Sequence, residues 1–110
     1  MRARIGKAAM SLVGVPFRLH GRDPDSGLDC IGLVAEAMAR AGYTPVAPHG
    51  YSLRASSVDA LLPFVGTNGF KRVKQDGAIA LVMVSPLQPH LLVRVPGGFV
   101  HAHAGIGRVT

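Results

Sequence analysis

The chain is expected to fold as one α+β domain, residues 1–110, in which N-terminal helices pack on a small antiparallel sheet. Three observations predict this. Apolar residues follow the helical period only in the first half of the chain. After residue 77 they form near-continuous or alternating runs bounded by glycine and proline. A length of 110 residues allows one modest core and little room for a second.

Ile5, Ala8, Ala9 and Leu12 recur at helical spacing, predicting a first helix over residues 3–13 that Gly14 ends and Pro16 prevents from continuing. Residues 17–29 are dense in Gly, Pro and Asp, with turn signals at Asp23-Pro24 and Ser26-Gly27, and read as a loop. From Cys30 the pattern changes. Ile31, Leu33, Val34, Ala37, Met38 and Ala41 make a broad apolar stripe on a second helix, with Asp29 at its N-cap and Gly42 at its end. A further loop covers residues 43–55, and Ser56 or Ser57 is expected to cap a short helix running through Leu62. The remainder reads as strands: Ala78 to Val84, His90 to Val95 and, after a tight hairpin at Pro96-Gly97-Gly98, Phe99 to His103. Arg108-Val109-Thr110 has the character of one more.

Hydrophobic residues make up 48% of the chain and aromatics 5%, without tryptophan, so the core must be aliphatic. No apolar run approaches the roughly 20 residues of a membrane helix. The N-terminal Arg2, Arg4 and Lys7 precede a stretch too short and too polar for a signal-peptide core, so action outside a cell would require delivery by something else. The net charge of +6 is scattered along the chain instead of forming a basic stripe interleaved with aromatics. Nucleic-acid binding is therefore not expected, whereas attraction to an anionic cell wall needs no base readout.

A single cysteine excludes an internal disulfide. Cys30 is then either a small buried hydrophobe or a working thiol, and a helix N-terminus is where backbone N–H groups stabilise a thiolate. Five histidines are candidate bases. His20 and His49 fall in loops; His90 opens a predicted strand, and His101 and His103 lie on the strand that hairpins back beside it. Cysteine with one imidazole as base and a second polar group orienting it is the arrangement of thiol proteases. A rival reading takes His90, His101 and His103 as a zinc site, although no carboxylate or second cysteine lies near them in sequence.

Two segments carry a resemblance. Gly14-Val15-Pro16-Phe17, a glycine-containing turn and Asp29-Cys30-Ile31-Gly32-Leu33-Val34 resemble the nucleophile region of NlpC/P60 cysteine peptidases, which are papain-like enzymes of peptidoglycan. Asp76-Gly77-Ala78 resembles the turn before that family's first strand. His90 with the apolar strand after it, Gly97-Gly98 and Phe99-Val100-His101-Ala102 resemble its histidine hairpin. The resemblance implies Cys30 as nucleophile, His90 as general base and then acid, and His101 as the third member that holds the His90 tautomer. It implies a peptidoglycan stem peptide as substrate, contacts to it from Asp29 and from positions 17 and 31, and no metal or cofactor. Phe17 stands where the family has Tyr and Ile31 where it has Ser, so its usual preference for the γ-D-glutamyl–diamino-acid bond does not carry over on these residues. Family members commonly continue beyond the point matching Thr110, which implies a domain lacking its last strands. The short form also resembles peptidases of phage and gene-transfer-agent tails, implying tail proteins as partners and delivery to the wall by a particle.

Two alternatives stay open: a tail-assembly or wall-binding module that keeps the fold without activity, and an amidase or acyltransferase using the same thiol. Substrate choice would lie in loops 17–28 and 43–55. There Arg18, Arg22 and Arg54 either meet stem-peptide carboxylates or are simply solvated.

Overall fold

The structure is a computed structural model that describes residues 2–45, 79–85, 88–103 and 106–110. The expected helix at 56–62, the turn at 76–78, His49 and Arg54 lie outside the described residues. Helix α1 spans Arg2–Met10, shorter than the expected 3–13. Of the predicted stripe, Ile5 and Ala9 on the helix and Leu12 just after it are nevertheless buried, and Ala8 is partly buried. The early end has a local cause. The Ser11 hydroxyl donates to the Ala8 carbonyl at 2.6 Å, and Leu12 and Val13 bond three residues back in tightened turns until Gly14 (φ 98°) breaks the helix. Gly6 lets α1 approach the sheet: a β-carbon there would lie 2.9 Å from the Arg94 carbonyl oxygen.

Residues 17–29, expected as a loop, contain a short hairpin of β1 (Arg22–Asp23) and β2 (Gly27–Leu28). The Asp23 side chain accepts from the Asp25 N–H at 2.9 Å, and Gly27 (φ 134°) takes a backbone conformation rare for L side chains. The period-2 signal is absent because each strand has only two residues. Residues 16–18 thread between this hairpin and the C-terminal strand. The Leu28 N–H donates to Pro16, and Arg18 donates back to Leu28. Phe17 donates to Gly107 on the other side.

Helix α2, Cys30–Arg40, begins and ends where the sequence placed it. Asp29 is the N-cap. At the far end Gly42 (φ 100°) donates to Ala39 and Tyr43 donates to Met38, the paired bonds of a Schellman motif. Its first two turns are buried on nearly every side, which fits a central helix. Its exposed edge carries the Glu36–Arg40 ion pair at 2.9 Å, and Arg40 reaches Ser11 to join the two helices.

Strands β3 (Ile79–Ser85), β4 (Gln88–Val95) and β5 (Gly98–Val100) form an antiparallel sheet in that order. The β4–β5 turn is centred on Pro96-Gly97, with Val95 opposite Gly98 and Gly97 at φ 84°. The expected strand from Phe99 to His103 is divided. After Val100, which pairs with Val93, the chain leaves β4 and His101 exchanges both backbone hydrogen bonds with Thr110. Then β6 (Ala102–His103) pairs with β7 (Arg108–Val109). His101 therefore stands at the change of partner. One aliphatic core joins both helices to Leu91, Val93, Val100, Ala102 and Val109. Among the described residues no helix is long and apolar enough to cross a membrane.

Candidate active site

Asp29 is fully buried, and its carboxylate fixes the start of α2. Oδ1 accepts from the Gly32 N–H at 2.8 Å and from Arg22 Nη1 at 3.2 Å, while Oδ2 accepts from the His20 N–H at 2.8 Å. His20 adopts φ 60° to present that N–H. Close packing is required here: a β-carbon on Gly32 would collide with the Gly21 carbonyl oxygen. Arg22 is a residue the sequence reading left undecided. Its signal is positional, since the β1–β2 register pairs Arg22 with Leu28, next to Asp29.

Cys30 is the first residue of α2 and has no exposed surface. Burial pushes its thiol up to about 12, against the usual 9.0. The backbone of Leu91 pulls it down, the Asp29 charge raises it, and the backbone of Ile31 and Cys30 itself lowers it. Hydrogen bonds at the sulfur thus favour a thiolate, and desolvation overrides them. Cys30 shares the buried core with Leu91, the β4 residue directly after His90, and α2 packs against β4.

His90 is 8% exposed, and its ring centroid lies 5.5 Å from that of His101, edge to face at 76°. Continuing the β4–β5 register makes the two residues diagonal neighbours on one face. Nδ1 of each ring is buried without a hydrogen-bond partner. Burial pushes His90 down to about 4, with the His101 and His103 charges adding to the effect; His101 is lowered chiefly by burial. Both imidazoles are therefore neutral near neutral pH. Among the described residues no three His, Cys, Asp or Glu side chains are grouped to hold a metal ion, and the zinc reading of His90, His101 and His103 finds no geometry.

The three residues expected to touch substrate occupy different depths. Phe17 is half-buried against the core, while Asp29 at 0% and Ile31 at 1% have almost no surface. Ile31 is apolar because it packs among the core residues.

No protein-family model matches the chain, and no curated protein does. Among solved structures, it is similar to the NlpC/p60 domain of the peptidoglycan hydrolase SagA. The TM-score is 0.62 at 20% sequence identity, covering 100% of this chain and 86% of that one. The class this defines is one of fold. The chain is an α+β domain with the NlpC/P60 architecture, a capped helix beginning at cysteine and packed against a histidine-bearing sheet.

Proposed function

We propose that the protein is a thiol hydrolase that opens peptide bonds in the stem peptides of bacterial peptidoglycan. The observation that carries this reading is the position of Cys30, at the first residue of a capped helix that packs against the strand bearing His90. In the reaction, His90 takes the Cys30 proton as the sulfur attacks the peptide carbonyl carbon. The backbone N–H of Cys30 stabilises the tetrahedral oxyanion. His90 then gives the proton to the leaving amine as the C–N bond breaks, and water activated by His90 hydrolyses the thioester. His101 is the third member, which holds the His90 tautomer and stabilises the imidazolium.

The site as folded holds a neutral, buried thiol and a neutral imidazole on the strand α2 packs against, so substrate must bring water or polar groups to the sulfur before the proton moves. Phe17 has surface with which to meet a bound peptide. Asp29 and Ile31 act on one through the backbone they hold. The likeness to a hydrolase domain supports a cell-wall substrate, and delivery by a phage-like tail particle belongs to the same reading through the sequence resemblance.

The complete burial of Cys30 favours a second reading, a wall-binding module without turnover. Digestion of purified peptidoglycan separates the two. Release of new amino termini by the wild type, and by neither Cys30→Ala nor His90→Ala, is the hydrolase result. Binding to the sacculus with no release by any of the three is the module result.

A further inference from the structure

His103 lies two residues after His101 on the same face, and its ring centroid is 5.1 Å from that of His101 at 54°. The His101 ring therefore lies against both of the others, His90 and His103. The outer ring is itself held. His103 Nδ1 accepts from the Ile106 N–H at 3.0 Å, and the Gly107 N–H donates to the His103 carbonyl at 2.8 Å. His101 is only half-buried, yet its Nδ1 is fully enclosed, as the Nδ1 of His90 is. A half-turn of the His101 ring would exchange Nδ1 with carbon, and a ring in contact with two others sweeps against them in making that turn.

We propose that His103 is a positioning residue for His101: pinned through its own Nδ1 to Ile106, its ring keeps the His101 Nδ1 turned inward beside His90. The inference rests on the thiol-hydrolase reading and adds to it a fourth side chain. The groups facing His101 are His90 on β4, His103 on its own strand and Thr110 across from it. Arg108 stands opposite His103, and the Asp29 charge acts on His90. His103 adds to the lowering of His101 by burial, so removing its ring should let the His101 midpoint rise.

Two variants divide the roles of His103. His103→Asn keeps an acceptor for the Ile106 N–H and removes the ring; His103→Phe keeps a ring and loses the acceptor. Positioning predicts that His103→Asn retains the wild-type melting temperature, loses about tenfold in kcat at unchanged KM, and raises the His101 midpoint in an NMR titration. His103→Phe should hold kcat within about twofold of wild type. A His103→Asn variant that matches wild type in kcat and in the His101 titration, with His103→Phe impaired, would overturn the inference and leave His103 as a turn acceptor. Should the wild type release nothing from peptidoglycan, the hydrolase reading falls by itself. NOEs from the His101 ring in His103→Asn then still decide the positioning role: a ring orientation unchanged from wild type overturns it.

Discussion

Arg22 reaches from the β1–β2 hairpin to the Asp29 carboxylate at 3.2 Å, fastening the segment before the candidate nucleophile to the cap of the helix that carries it. The same carboxylate closes the first turn of α2 through Gly32. One buried group thus fixes both the loop and the helix start.

Removing that group should cost more than an ordinary cap. Asp29→Ala deletes the acceptor of Gly32 and His20 and leaves the Arg22 guanidinium without its carboxylate. A loss on the order of 3 kcal/mol is expected, against about 1 kcal/mol for a solvent-exposed cap. Asp29→Asn keeps an oxygen for Gly32 and should fall between. Urea unfolding of the three proteins checks the order.

Gly32→Ala reverses a familiar sign. Glycine within a helix is usually worse than alanine by about 1 kcal/mol. Here the added methyl meets the Gly21 carbonyl oxygen, which is backbone and cannot rotate away. The substitution should destabilise by roughly 2 kcal/mol or more, and Cys30 should become more accessible to alkylation as the hairpin is displaced. A Gly32→Ala protein as stable as wild type would contradict the close packing.

Acid should weaken the fold through His90. Its midpoint is lowered to about 4, so the unfolded chain takes up this proton first as pH falls below about 6.5. The contribution is present at neutral pH and lost between those values, on the order of 3 kcal/mol in all. His90→Gln should flatten that part of the stability–pH curve relative to wild type.

Alkali should act through Cys30 with the opposite sense. Burial holds the folded thiol proton to about 12, while the unfolded chain releases it near 9.0. Stability should therefore fall as pH rises between those values, and Cys30→Ala should remove this component. Chemical denaturation of both proteins across that range reads the difference.

The helices were legible because each rule for them is local. The cap at Asp29, the apolar face of α2 and the glycine stop at Gly42 all appear in consecutive residues. The pairing of His90 with His101 was legible for a similar reason, since a two-residue turn lies between their strands. What the sequence hid depends on long-range partners. Nothing local shows that the strand after Val100 changes from β4 to β7, because both halves alternate normally. The Arg22–Asp29 pair required a hairpin too short to leave a period. Ile31 is named as a substrate position by the resemblance alone, where the family has Ser; its depth, 1% exposed in a helix buried nearly all round, depends on partners far along the chain.

The most direct test of Cys30 as a nucleophile is the intact mass of the folded protein after reaction with a stem-peptide analogue carrying an electrophile at the scissile position. A single adduct is expected, mapped to Cys30, absent from Cys30→Ala and suppressed by competing stem peptide. A folded protein that gains no adduct, while the same thiol reacts fully in urea, would contradict the account and leave Cys30 as a core residue.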